Sequence, residues 1–135
     1  MRSVLIVDDE IGARESLKMI LKNDYEVSLA RNAEEAFSKI KEHAPDIILL
    51  DILLPDLDGL KVLERIKQND PDMVVIMITA TNTVNTAVEA MKLGAYDYVT
   101  KPFDIDQLRL IITRSFSAKA LEQEVKNGRR EMDRR

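Results

Sequence analysis

Asp8, Asp9 and Glu10 stand together near the start of the chain, and a fourth carboxylate, Asp51, follows a later apolar run. Thr79 closes another apolar run, and Lys101-Pro102 closes a further one. The chain has no cysteine and a single histidine, His43. Thiolate catalysis, disulfides, Cys-based zinc or iron–sulfur centres and multi-histidine metal sites are therefore excluded. What remains is oxygen chemistry. Clustered carboxylates repel one another unless a cation sits among them, and oxygen donors select a hard ion such as Mg²⁺. A carboxylate can also attack phosphorus as a covalent nucleophile. A lysine supplies a positive charge for phosphoryl oxygens, and a threonine hydroxyl supplies a hydrogen bond.

These residues can act together only if the fold brings them together. Short apolar runs at Ser3–Val7, Tyr25–Ala30, Asp46–Leu50, Met73–Thr79 and Tyr96–Thr100 read as strands. Val4–Val7, Ile47–Leu50 and Met73–Ile78 are nearly continuous in Val, Ile, Leu or Met, as expected of strands covered on both faces. Helical periodicity falls between them, at Glu10–Leu21, Ala33–His43, Leu60–Asn69, Val84–Leu93 and from Ile105 onward. Asn32 and Asp104 are expected N-caps, and Gly94 is expected to end the fourth helix. Pro45 and Pro71 mark helix-to-strand turns. Gly59 is expected to let the chain turn into the third helix, and Met19, Met73, Met77 and Met91 to pack in the core. Asp56 and Asp58 read as loop carboxylates rather than ligands, and His43 as a solvated surface residue.

Five strand–helix repeats predict an α/β fold, a doubly wound five-stranded parallel sheet with five helices of the flavodoxin-like kind, ending in a long C-terminal helix. In such sheets ligands bind beyond the carboxyl ends of the strands. Asp8, Asp9, Asp51, Thr79 and Lys101 all fall there. Each has an ordinary reading alone: a turn aspartate, a β-branched strand residue, a solvated lysine. Jointly they form a phosphoryl-acceptor site.

The runs Val4-Leu-Ile-Val-Asp-Asp-Glu10, Asp51-Ile-Leu-Leu-Pro-Asp-Leu-Asp-Gly59, Thr79-Ala80 and Lys101-Pro102-Phe103 resemble the receiver domain of bacterial two-component response regulators. The resemblance spans about residues 1–116. It implies that Asp51 is the phosphoacceptor, and that Asp9, Asp51 and the backbone carbonyl of Leu53 ligate Mg²⁺ while Asp8 does so through water. It implies that Lys101 pairs with the carboxylate and later the phosphoryl group. Thr79 becomes the switch hydroxyl, Tyr98 the switch aromatic, and the Lys101–Pro102 bond cis. The stretch from Thr86 to Asp104 is similar to the NtrC-type subfamily, whose receivers control an AAA+ ATPase that activates sigma-54 RNA polymerase. The implied partners are a sensor histidine kinase and, in the full-length protein, that output domain and its DNA-binding region. The protein would be a regulatory switch, catalysing only its own phosphotransfer and dephosphorylation.

Other readings fit less well. A haloacid-dehalogenase-type phosphatase needs a second aspartate two residues after its nucleophile, where Leu53 stands. A flavodoxin-like nucleotide binder needs a glycine-rich loop after the first strand, which is missing. A receiver that only docks, without phosphorylation, would not need all of Asp8, Asp9, Asp51, Thr79 and Lys101.

The net charge is −4, with acids and bases mixed, which argues against nucleic acid as a direct partner. No apolar run is long enough to span a bilayer and no signal peptide opens the chain, so a cytoplasmic setting is expected. Residues 117–135 differ from the rest: six Lys or Arg stand against four acids. Ile111, Ala118, Val125 and Met132 are seven apart, with Leu121 and Gly128 between, which is a short broken heptad. Residues 1–116 are thus expected to be the receiver, and residues 117–135 a helical linker toward an output domain, joining a homodimer.

Overall fold

The three runs expected to be covered on both faces are the inner strands of the sheet. In the computed structural model, residues 1–81 and 83–118 are described. The inner strands are β1 (Ser3–Val7), β3 (Ile47–Leu50) and β4 (Val74–Thr79). β2 (Glu26–Ala30) and β5 (Asp97–Thr100) are the edges, in the order β2-β1-β3-β4-β5, and every pairing is parallel. Every β3 residue is buried, whereas β2 is mostly half-exposed. That difference is why the edges read weakly in the sequence: they need only one apolar side.

Four helices connect the strands: α1 (Ile11–Leu21), α2 (Ala33–His43), α3 (Gly59–Asn69) and α4 (Val84–Lys92). Leu5, Val7, Ile48, Leu50, Val75 and Met77 share one sheet face with Ala33 and Ala36 of α2, Val62, Leu63 and Ile66 of α3 and Ala90 of α4. Leu17 and Leu21 are the buried pair of α1. Burying each of the Val, Leu, Ile and Met side chains among them stabilises the fold by roughly 1.5–3 kcal/mol. The chain runs from β1 out to β2, then crosses back over β1 to β3. The strand order therefore reverses between β1 and β3, which is where such a sheet opens a crevice.

The chain divides into two units, Met1–Phe103 and Asp104–Arg135. The second begins with a helix, α5, over residues 105–118. Asp104 caps it as expected, its Oδ1 accepting from Asp106 N (2.8 Å) and Gln107 N (3.2 Å). Leu108, Ile112, Ser115 and Phe116 form its buried stripe. Most of the expected linker, residues 119–135, and with it most of the heptad, Leu121 to Met132, lie outside the described residues. Among the described residues no helix is long and apolar enough to cross a membrane.

The expected caps hold. Asn32 accepts from Glu35 N at 2.8 Å. Gly94 has φ +104° and closes α4, with Gly94 N donating to Met91 O and Ala95 N to Ala90 O. α2 ends instead on Ala44, left-handed at φ 42°, a conformation the sequence did not announce with a glycine. Four strands begin one residue later than expected. Two of the displaced residues spend their N–H on the preceding turn: Tyr25 N on Leu21 O, and Met73 N on Asp70 O.

One expectation is corrected. Met73 and Met77 are buried, but Met19 is 63% exposed and Met91 48%. Met19 lies on the α1 face of Ile11 and Glu15, away from Leu17 and Leu21, and Met91 continues the exposed Val84–Val88 stripe of α4. Gly59, the first residue of α3, lets the chain turn there, as expected, and does so by leaving space. A Cβ there would stand 2.4 Å from Ile52 Cα and 2.5 Å from the Asp51 carbonyl oxygen. The loop after β3 can fold back on α3 only because that atom is missing.

Candidate functional site

Three residues continue the ladders one step past the strands. Asp8 N donates to Ala30 O (3.0 Å), Asp51 N to Val7 O (2.9 Å) and Lys101 N to Thr79 O (2.9 Å). Sheet geometry thus sets all three at one edge before any side-chain contact is made. The Lys101 ammonium then bridges the two carboxylates, 2.5 Å from Asp8 Oδ2 and 2.9 Å from Asp51 Oδ2. Asp8 is 2% exposed and Asp51 4%. Their other oxygens accept from backbone: Asp8 Oδ1 from Glu10 N and Asp51 Oδ1 from Leu53 N, both at 3.0 Å. The Lys101–Pro102 bond is cis, as the resemblance implied.

Burial pushes the Asp8 carboxyl above the usual carboxylate range, against the pull of the Lys101 hydrogen bond and the Glu10 N–H. Burial works the other way on Lys101, but hydrogen bonds to Asp8 and Asp51 outweigh it and hold the ammonium above its ordinary value. The lysine therefore remains charged. One ammonium cannot neutralise two carboxylates, and Asp9 adds a third.

Asp9 and Glu10 are exposed beside Asp8, and the three offer carboxylate oxygens within 4.8 Å of one another. Such an all-oxygen donor set fits a hard divalent cation. Glu10 joins this cluster although the resemblance implies no ligand role for it. Leu53, two residues after Asp51, is 58% exposed.

Thr79 and Tyr98 form a second group, joined through Thr81. Thr79 is fully buried, and its hydroxyl oxygen accepts from Thr81 N at 3.3 Å. The half-buried Tyr98 donates its hydroxyl to Thr81 O at 2.5 Å. Burial first, and the Asp51 charge second, push the Tyr98 phenol up. Thr81 links Thr79 and Tyr98 through its backbone N–H and carbonyl, a contact that its side-chain type does not announce.

Asp56 and Asp58 are loop carboxylates, and each caps a helix. Asp58 Oδ1 accepts from Leu60 N and caps α3. Asp56 caps α2 instead, accepting from Ala33 N (2.9 Å) and Glu34 N (3.0 Å). His43 is exposed and pairs at most with Glu42, at 3.6 Å.

A buried carboxylate pair bridged by lysine at the switch point of a five-stranded parallel sheet defines a class, and comparison with known proteins agrees. The model of the response regulator receiver domain matches residues 4–113. The chain belongs to this family. It is 38% identical over 125 residues to the regulatory protein AtoC of Escherichia coli (strain K12), which covers 92% of this chain and 27% of AtoC. The crystal structure of NtrX from Brucella abortus superposes with TM-score 0.89 at 38% identity, covering 94% of this chain and 30% of that one. A CheY-like receiver domain protein from Methanospirillum hungatei JF-1 gives TM-score 0.86 at 32% identity, covering 90% and 98%. The likeness to AtoC and NtrX is the NtrC-type affinity expected from the Thr86–Asp104 stretch. The chain spans about a quarter of the length of AtoC.

Proposed function

We propose that this receiver accepts a phosphoryl group on Asp51 from a phosphohistidine of a sensor kinase, and that the group's arrival moves a switch read by an output domain. The observation that carries this reading is the Lys101 ammonium shared by two buried carboxylates, Asp8 and Asp51. An Asp51 carboxylate oxygen forms the new O–P bond as the P–N bond to the donor imidazole breaks, and the imidazole leaves with the electron pair. Leu53 N–H orients one Asp51 oxygen. Lys101 then pairs with the phosphoryl oxygens, its contact with Asp8 keeping it in place. Bound Mg²⁺ would neutralise phosphoryl charge during transfer. Asp9, Asp51 and the Leu53 carbonyl would hold the ion directly, and Asp8 through water.

The switch follows from the Thr79–Thr81–Tyr98 linkage. A Thr79 hydroxyl drawn to the phosphoryl group gives up Thr81 N–H, and Thr81 O is the partner of Tyr98. A local hydrogen-bond change thus reaches the segment that leads into α4. In the full-length protein the output would be a sigma-54 activator ATPase, and residues 1–116 and 117–135 would act as receiver and linker of a homodimer in the cytoplasm.

The test is labelling of the purified chain with acetyl phosphate. Uptake should require Mg²⁺ and vanish in Asp51→Asn. Uptake that persists with a chelator, or in that variant, would overturn the reading. Sedimentation with and without beryllofluoride checks the dimer: identical monomer masses would exclude it.

A further inference from the structure

The loop from Asp51 to Asp58 must hold Asp51 and Leu53 in register for the chemistry above. Its two ends are fixed locally. Ile52 O accepts from Leu54 N (3.1 Å) and from Gly59 N (2.8 Å). Its middle is fixed by a residue whose partners are far away in sequence. The Asp56 carboxylate reaches the start of α2 and accepts from Ala33 N through Oδ1 and from Glu34 N through Oδ2.

Two observations indicate that this bond serves the loop as well as the helix. α2 has a cap of its own, since Asn32 takes Glu35 N, and its first turn already carries Glu34 and Glu35. A further negative charge therefore adds little to α2 beyond satisfying two N–H groups. The tether also ties the acceptor loop to the second side of the crevice. α2 starts just after Ala30, whose carbonyl receives the Asp8 N–H. Asp56 thus connects the loop carrying Asp51 and Leu53 to the strand end that helps place Asp8. The two N–H bonds also hold its carboxyl below the usual range, led by that from Ala33.

We propose that Asp56 is a positioning residue for phosphoryl transfer: its bidentate cap on α2 fixes the acceptor loop in the geometry that Mg²⁺ binding and attack require. This rests on Asp51 being the acceptor. Asp56 touches neither the phosphoryl group nor the ion, and acts through the backbone of its loop. Groups that orient a metal site from outside cost about 10–100-fold in affinity or activity when removed. Acting from three residues beyond Leu53, Asp56 should lie near the lower figure.

The experiment compares Asp56→Ala with Asn32→Ala. Both remove a side-chain cap from α2, and only the first releases the loop. Three readouts apply to the intact chain: Mg²⁺ affinity by calorimetry, amide hydrogen exchange at Leu53, Leu54 and Gly59, and the rate of acetyl phosphate labelling. Asp56→Ala should weaken Mg²⁺ binding and slow labelling about tenfold, and speed exchange at the three amides. Asn32→Ala should leave all three close to wild type while lowering Tm. Asp56→Asn, which keeps one acceptor oxygen and the shape, should fall between and guards against a folding defect in the alanine variant. Equal effects of Asp56→Ala and Asn32→Ala would reduce Asp56 to a helix cap and overturn the proposal. A wild-type chain that takes no label at Asp51 would instead overturn the acceptor reading on which it rests.

Discussion

The Tyr98 hydroxyl donates to the backbone carbonyl of Thr81 at 2.5 Å, and the N–H of the same Thr81 donates to the Thr79 hydroxyl oxygen at 3.3 Å. One residue's backbone therefore joins Thr79 and Tyr98, the two residues proposed to form the switch. Removing the hydroxyl in Tyr98→Phe should cost about 1 kcal/mol, since the ring stays packed and one partly buried hydrogen bond is lost. Urea unfolding measures this. A variant as stable as wild type would mean that the bond contributes nothing to holding the loop.

Gly59→Ala tests the fit between α3 and the loop that follows β3. The added methyl would overlap backbone atoms of Asp51 and Ile52, which cannot swing aside as a side chain can. A loss of about 3 kcal/mol is expected, at the upper end of overpacking costs, together with slower phosphorylation. An alanine variant that melts with wild type would show that the loop has room the geometry denies.

Asp9 is exposed and stands in a cluster with Asp8 and Glu10. Asp8 and Asp51 each hold the lysine, so their loss removes an ion pair; Asp9 has no such role in the metal-free site. Asp9→Asn should therefore relieve repulsion and raise the metal-free Tm by about 1–3 °C, while Mg²⁺ stabilises the variant less than wild type. Melting curves with chelator and with excess Mg²⁺ decide it. A metal-free variant that melts several degrees lower would contradict the repulsion argument.

Asp56 predicts a pH dependence of known sign. Its carboxyl is held below its unfolded value, chiefly by the Ala33 N–H. The ionised form is thus favoured by folding. Its contribution is fully present above the unfolded aspartate pKa of about 3.9 and is lost as pH falls through the lower folded value. The stability gap between wild type and Asp56→Asn should hold from neutral pH down to that point and close below it. A gap that widens on acidification would reverse the assignment.

The site was largely legible in the sequence because its chemistry is carried by residue type at strand ends. Asp8, Asp51 and Lys101 each follow an apolar run, and the ladder bonds of their own backbones place them. The inner strands were legible because burial on both faces leaves a continuous apolar run, whereas the edges blurred. Contacts set by three-dimensional proximity were not legible. Asp56 reads as a loop carboxylate because its partners, Ala33 and Glu34, precede it by a whole helix and strand. Gly59 shows no sign that its missing Cβ makes room for Ile52. Met19 and Met91 have core-like side chains on solvent faces, and apolar character alone does not tell which side of a helix meets the sheet.

The most direct test is to locate the phosphoryl group by chemistry specific to an acyl phosphate. After treatment with acetyl phosphate and Mg²⁺, borohydride reduction converts a phosphorylated aspartate to homoserine, which peptide sequencing by mass spectrometry assigns to a position. Homoserine should appear at position 51, should depend on Mg²⁺, and should be missing at Asp8, Asp9 and Asp56. Homoserine at another aspartate, or label retained on a serine, threonine or His43 with none at Asp51, would contradict the account.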